Sequence, residues 1–452
     1  MIKDLSLLLD LYELTMAQGY FYYKRNALAT FDLFVRELPA NRSYLVAAGL
    51  DDVLDYIKNL RFTSRELSYL RKTADFSKDF LDYLKDFRFK GQIWALPEGT
   101  VFFPNEPILR VTASIIEAQI IESYLLNAIN LQTMIASKAS RVFLAAKGRQ
   151  VYDFSLRRTH GAGAAVKVGR ASYLAGFSGT SNVLAAKLYK IPAVGTMAHS
   201  FVMSFKHEMD SFLVYANVFP NKTILLVDTY DTKKGVENAV TVGLYLKEQG
   251  YRLQAIRIDS GDIVSLSRLA RRMLDREGLG YVKIIASGNL DEFKIKELVS
   301  RGARVDSFGV GTNMGTSNDA PSLDVIYKIS EITDENGNFL PKMKLSQGKV
   351  TYPGRKQVFR IVDRKQRFLK DIVALSGEKT KGRPLLKKVV DKGMIIYKPP
   401  SLEKTRGFLK DGLGRFPDSL RVIGSRYTYP VEISPGLKRL HYVLARQLRY
   451  RQ

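Results

Sequence analysis

Leu226-Val227-Asp228-Thr229-Tyr230-Asp231 and, further on, Ile256-Arg257-Ile258-Asp259-Ser260-Gly261-Asp262 decide the fold. Each is a short apolar run, of a length suited to a buried strand, that ends abruptly in carboxylate, hydroxyl or glycine residues. Residues 236–249 and 265–277 lie after them and carry helical spacing. The same unit recurs outward in both directions, with strand patterns at 151–156, 193–197, 283–287 and 307–310. Strands alternating with helices imply a parallel sheet, and this many units favour a closed or nearly closed α/β barrel over an open sheet. In such a barrel chemistry sits where strands end and loops begin, which is where this chain places its glycines, hydroxyls and acids.

The flanks read differently. Residues 1–130 mix helical patterns at 5–23, 44–60 and 118–130 with strand-like pieces at 30–36 and 92–95, and Pro104-Asn105-Glu106-Pro107 marks a turn. This is an α+β module. The barrel segment is expected over 131–345, and 346–452 forms a basic, proline-punctuated segment whose last helical stretch, 437–448, packs back on the first module. No internal repeat and no low-complexity tract is present.

Composition narrows the chemistry. A chain of 452 residues with 46% apolar content folds as more than one domain with ample core. It contains no cysteine, which removes disulfides, thiolate nucleophiles and cysteine-bound zinc, and its four histidines are scattered. Any metal is then a hard ion on oxygen ligands. No stretch approaches the roughly 18 apolar residues of a membrane span, and Met1-Ile2-Lys3-Asp4-Leu5 lacks a signal peptide's layout, so a cytoplasmic location is expected. Lys plus Arg number 70 against 45 Asp plus Glu, a net charge of +25 that draws in polyanions: nucleic acid, acidic membranes or small phosphorylated substrates. The excess is densest at 364–370, 379–388 and 439–451, which reads either as a solvated face or as a nucleic-acid arm.

Four groups of residues carry candidate chemistry. Gly195-Thr196-Met197-Ala198-His199-Ser200 delivers a histidine from an apolar run onto a small-residue turn, as a reactive group or as a hydrogen-bonded structural one. Gly309-Val310-Gly311-Thr312 follows a late strand, where glycines let backbone N–H groups close on phosphate; the plain alternative is a tight turn. Asp228 and Asp259 end successive strands and suit magnesium or a ribose diol, whereas Asp231 and Asp262 read as helix caps. Arg157, Arg158 and Arg257, at or near strand ends, suit bidentate recognition of carboxylate or phosphate.

Taken in order, Leu9-Asp10-Leu11-Tyr12-Glu13-Leu14-Thr15, Arg36-Glu37-Leu38-Pro39, Tyr44 to Leu50, Pro104 to Pro107, Gly179-Thr180-Ser181-Asn182, Gly195 to Ser200 and Asp259 to Asp262 resemble the nicotinate phosphoribosyltransferases over nearly the whole chain. The resemblance implies an irregular α/β (TIM-like) barrel with an α+β sandwich domain formed by N-terminal and C-terminal segments, and a homodimer with shared active sites. It also implies a reaction in which nicotinate and phosphoribosyl pyrophosphate give nicotinate mononucleotide and pyrophosphate, with ATP hydrolysis and Mg2+. By the same resemblance His199 is the histidine that ATP phosphorylates. Phe154 stacks on one face of the pyridine ring, and Tyr12 of the partner copy, beside Asp10, covers the other. Arg257 meets the ring's exocyclic group, Arg157 a phosphate, and Asp228 and Asp259 the ribose and magnesium. Arg36 reaches phosphates across the dimer, and Gly288, Gly309, Gly311 and Thr312 form the loops for the 5-phosphate.

Substrate choice depends on charge. Related nicotinamide enzymes carry an aspartate where this chain has Ser181; a carboxylate there suits an amide and repels nicotinate, so Ser181 points to the acid. In Ser287-Gly288-Asn289 some relatives have an aspartate at Asn289, which puts a metal or ribose contact in doubt. Quinolinate or nicotinamide transfer on the same fold is the rival enzyme reading, opposed by the Asp10-Leu11-Tyr12 block and Ser181. A nucleic-acid-binding protein is the rival of another class, motivated by +25 and opposed by the lack of any basic motif interleaved with aromatics.

Overall fold

The computed structural model describes residues 5–346, 351–425 and 427–449. The ends of the chain, including Arg451 of the last basic run, lie outside the described residues. Two compact units form. One takes in the chain up to Met134 and again from Ser322; the other runs Ile135–Pro321. The boundary falls inside the long helix Glu122–Ala145.

The second unit is built on six parallel strands in the order Gly179–Thr180, Gln150–Asp153, Ser307–Val310, Lys283–Ala286, Ala255–Ile258 and Ile224–Leu226. The barrel expected from the alternation thus takes the form of a strongly curled, open half-barrel. Helices Thr232–Glu248, Ile263–Arg276 and Glu292–Ser300 return the chain between strands. Asp231, Asp262 and Asp291 cap them, each carboxylate accepting a backbone N–H of the first turn, so two of the strand-end aspartates are caps as expected. Apolar runs such as Leu225, Leu226 and Val227 are wholly buried, as in a sheet covered on both faces.

One strand pattern does not become a strand. Residues 193–197 contribute a single bridge, Ala193 to Thr180, closed by Thr180 N to Pro192 O at 3.1 Å and Val194 N to Thr180 O at 3.0 Å. Pro192 has no N–H to extend the ladder backward, and on the other side Asn182 donates its N–H to Thr180 Oγ1 at 3.1 Å and caps the helix Val183–Tyr189, so one bridge is all that forms; His199 instead opens the short helix His199–Met203.

The first unit draws on both ends of the chain. Its seven-stranded sheet runs Phe339–Pro341, Val325–Thr333, Leu28–Val35, Pro107–Ser114, Gln92–Ala95, Lys387–Asp391 and Met394–Ile395. Residues 325–341, expected from sequence to belong to the barrel segment, pair here: seven of the eight residues of the buried strand Leu28–Val35 take partners from Val325–Thr333. A four-stranded sheet, Arg383–Pro384, Lys356–Val362, Phe368–Leu375 and Val431–Ile433, makes the second layer. Buried ion pairs link the layers and brace the second: Lys356 to Asp32 across them at 2.7 Å, and Arg360 to Asp371 within the second at 2.5 Å. Desolvation offsets much of the attraction in such pairs, but removing one partner would strand the other's charge in the core. The helix Pro435–Arg449 packs on Phe368–Leu375 through Leu437 and Leu444.

Candidate active site

At the carboxyl ends of the six strands a cavity of about 580 Å³ opens, lined by residues from four successive strand ends. Phe154 comes directly after the strand Gln150–Asp153, where its N–H donates to Val310 O at 2.8 Å. Its ring lies on the backbone of the neighbouring strand because Gly309 has no side chain: a Cβ there would sit 2.4 Å from the ring. Beneath it Asp153 is fully buried, accepting from Ser155 N, Ser155 Oγ and Thr180 Oγ1 at 2.9, 2.6 and 2.7 Å. Burial pushes its carboxyl above the usual range, and these hydrogen bonds oppose that shift. The network fixes the turn that carries Phe154, Arg157 and Arg158.

The opposite wall is made by the strand Ala255–Ile258 and the turn at its carboxyl end. Arg257 is largely buried; its guanidinium donates to Thr196 Oγ1 at 2.5 Å and stands 4.0 Å from Asp259. Burial lowers its pKa, and Asp259 and Asp228 oppose that, so the cation stays charged while losing its water. A dry, fixed guanidinium is a strong receptor for a carboxylate. Asp228 is buried behind this wall: Oδ2 accepts from Asp259 N at 2.9 Å and Ser260 Oγ at 2.6 Å, and Oδ1 has no partner among the described residues. Asp259 in turn accepts from Ser287 Oγ.

The glycine loops complete the cavity. Gly288 has φ of +93°, and a Cβ there would meet Asp259 O at 1.9 Å, so both conformation and space require glycine. Gly311 and Thr312 open a short turn on the adjacent strand, and Asn313 ties the two loops together by donating to Asn289 O at 3.1 Å.

Of the residues singled out from sequence, Phe154, Arg157, Arg257, Asp259, Gly288, Gly309, Gly311 and Thr312 line one cavity. Asp228 stands one hydrogen bond behind its wall. His199 and Ser181 are not in the lining: His199 is half-buried with Nδ1 3.1 Å from Thr229 Oγ1, and Ser181 N donates to Asp153 O at 2.8 Å. Asp10, Tyr12 and Arg36 belong to the first unit, where Arg36 pairs with Asp324 at 3.3 Å. Burial, aided by Glu122, raises the Tyr12 phenol to about 12. The cavity also uses Ser260, Ser287, Lys294, Glu297 and Arg301, which sequence reasoning did not single out. The spacing of 294, 297 and 301 puts the last three on one face of Glu292–Ser300 and its end, a signal legible only once that helix is known to border the site. Among the described residues no cluster of three or more His, Asp or Glu side chains is arranged to hold a metal. Nor is any helix among them long and apolar enough to cross a membrane.

A curled half-barrel of parallel strands with an aromatic, an arginine and glycine loops at its carboxyl edge, together with a sandwich made from both chain ends, is the type II phosphoribosyltransferase fold. The human nicotinic acid phosphoribosyltransferase structure is similar over 97% of this chain and 100% of its own (TM-score 0.85, 27% identity). The nicotinate-nucleotide pyrophosphorylase of Pyrococcus furiosus is similar over 91% and 96% (TM-score 0.73, 27% identity). Residues 7–130 match the nicotinate phosphoribosyltransferase N-terminal domain, 149–339 the nicotinate phosphoribosyltransferase family, and 376–441 the C-terminal domain. Curated relatives include the nicotinate phosphoribosyltransferase pncB2 of Mycobacterium tuberculosis, 46% identical over 95% of this chain and 91% of that protein. The nicotinate phosphoribosyltransferase of Bacillus subtilis is 37% identical over 98% and 96%. The chain belongs to the nicotinate phosphoribosyltransferase family, transferases of NAD biosynthesis and salvage.

Proposed function

We propose that the protein transfers the phosphoribosyl group of phosphoribosyl pyrophosphate to nicotinate, coupled to ATP hydrolysis through phosphorylation of His199. The observation that carries this reading is the cavity itself: an aromatic ring on Gly309, a buried guanidinium at Arg257 and the glycine loops at 288 and 311 face one space. A flat ring stacks on Phe154 while its carboxylate meets Arg257. The 5-phosphate lies against the backbone of Gly288, Gly311 and Thr312. The ring nitrogen lone pair forms the bond to C1′ as the C1′–O bond breaks, and the electron pair leaves with pyrophosphate. No side-chain base is needed, because the attacking nitrogen carries no proton; positioning and charge complementarity supply the rate.

Magnesium fits as a companion of the diphosphate and not as a caged ion. Asp228 Oδ1 is a buried oxygen without a hydrogen-bond partner among the described residues and Asp259 neighbours it, but two carboxylates make at most part of an octahedral shell. Bound there, the ion would neutralise charge on the departing pyrophosphate. At His199, donation from Nδ1–H to Thr229 Oγ1 would leave the lone pair on Nε2 as the phosphoryl acceptor. Ser181, in place of a carboxylate, leaves nicotinate unopposed.

The test is product formation by the purified protein from nicotinate, phosphoribosyl pyrophosphate and magnesium, with and without ATP, and with nicotinamide and quinolinate as parallel bases. Nicotinate mononucleotide made faster with ATP, and little from the other bases, is the expected result. Equal use of nicotinamide would overturn the role of Ser181; no product from any base would overturn the reading.

A further inference from the structure

Behind the cavity wall, and touching none of its space, lies a charge cluster that the transfer reaction does not use. Lys138, on the helix Glu122–Ala145, is 2% exposed, and its ammonium stands 2.7 Å from Glu292 Oε2 and 2.8 Å from Asp319 Oδ1. Arg141, one turn along the same helix, donates from Nε to Glu292 Oε1 at 2.9 Å, so the fully buried Glu292 carboxylate is held on both oxygens. Burying these ions is expensive, and a core of this size could have been closed with apolar side chains. What distinguishes the cluster is where its two acids sit. Glu292 is the first residue of Glu292–Ser300, at the exit of the loop through Gly288, Asn289 and Leu290. Asp319 lies just beyond the turn Thr312–Gly315, at the exit of the loop through Gly311 and Thr312. One ammonium therefore spans the far ends of both glycine loops, while Asn313 spans their near ends through Asn289 O.

We infer that Lys138 is a positioning residue that sets the distance between the two loops, and through it the fit of the phosphate-bearing end of the substrate. The inference rests on the proposed role of these loops as the 5-phosphate site. Backbone N–H groups cannot reach for a ligand as side chains do, so a two-loop cradle is only as selective as the spacing of its loops. Asn289 sits at φ of +49°, in the left-handed region that asparagine tolerates best among non-glycine residues, and Asn313 holds its carbonyl at 3.1 Å, so this loop is fixed at its near end. An ammonium suits the task because it is a compact charge that attracts carboxylates from more than one direction; a planar guanidinium pairs best with one.

The test uses the full-length protein and three readouts: KM for each substrate, the Kd of ribose 5-phosphate by calorimetry, and thermal melting. Asp319→Asn is the principal variant, since it releases only the second loop and leaves the Lys138–Glu292 pair intact. It is expected to melt cooperatively and to raise both KM for phosphoribosyl pyrophosphate and Kd for ribose 5-phosphate by about tenfold, with KM for nicotinate changed by less than about twofold. Lys138→Arg, which keeps the charge and alters the bridge, should shift the same two constants in the same direction. Unchanged ribose 5-phosphate affinity in a folded Asp319→Asn protein would overturn the inference, as would equal losses for both substrates, the mark of a merely structural cluster. If the wild type made no nucleotide but bound ribose 5-phosphate, with the same loss in Asp319→Asn, the catalytic reading would fall and the positioning role would stand.

Discussion

At the residue scale, the proposed chemistry divides between groups in the cavity and one beside it. His199 is outside the lining and linked to strand-end Thr229, which suits a residue that handles ATP and not the pyridine ring. His199→Ala is expected to lose ATP stimulation of turnover and to retain slow uncoupled transfer; initial rates with and without ATP check this, and intact coupling would remove His199 from its role. Glu13 offers a pH test. Its Oε1 accepts from Ser123 Oγ at 2.7 Å, Oε2 is buried with no hydrogen-bond partner among the described residues, and burial pushes its carboxyl up to about 8. The folded state then keeps a proton that the unfolded chain releases near the ordinary value of 4.5, so this group's contribution to stability is fully present below about pH 4.5 and falls as pH rises to about 8. Glu13→Gln should flatten that part of the profile, becoming more stable relative to wild type at pH 8 than at pH 5 in denaturant titrations.

At the element scale, the site is built by the close approach of strand ends. Glycines mark where that approach leaves no room for a side chain: a Cβ added to Gly288 would meet Asp259 O, one on Gly309 would meet the Phe154 ring, and one on Gly235 would meet Val227 O at 2.1 Å. Gly288→Ala combines a positive φ with a direct collision, so it should cost at least about 1–3 kcal/mol in backbone strain alone and displace the strand end bearing Asp259. A lowered denaturant midpoint with weakened phosphoribosyl pyrophosphate binding is the expected outcome; a midpoint equal to wild type would show that the loop relaxes freely. Sequence placed the elements well where an apolar run was uninterrupted, as at Ile284-Ile285-Ala286, and failed at 193–197, where Pro192 blocks the ladder on one side and the partner strand turns away at Asn182 on the other.

At the scale of the whole molecule, one unit holds the cavity and the other holds Asp10, Tyr12 and Arg36. The proposed homodimer with shared sites makes a clear demand on two variants that each lack ATP-stimulated turnover. Tyr12→Ala and His199→Ala, each impaired alone, should regain ATP-stimulated turnover when mixed under conditions that exchange subunits, because one of the two sites in a hybrid would be intact. No recovery despite demonstrated exchange would place Tyr12 and His199 in the same chain's site, or Tyr12 outside it. The net charge of +25 favours the approach of anionic substrates.

Much of the site was legible because its chemistry sits where periodicity breaks: Asp228, Asp259, Gly288, Gly309 and Gly311 each follow or end an apolar run, and the ordered motifs from Asp10 to Asp262 carried the family resemblance. The alternation of strand and helix likewise dictated a parallel sheet, since parallel neighbours need a crossover between them. What the linear chain could not state is which distant segments meet. Pairing of Leu28–Val35 with Val325–Thr333, the Lys138 bridge to Glu292 and Asp319, and the turning of Lys294 and Arg301 toward the cavity all depend on contacts between segments far apart in the sequence. Periodicity reports which face of an element is buried; only the assembled fold decides what it is buried against, because that choice is made by packing and charge between elements and leaves no local trace.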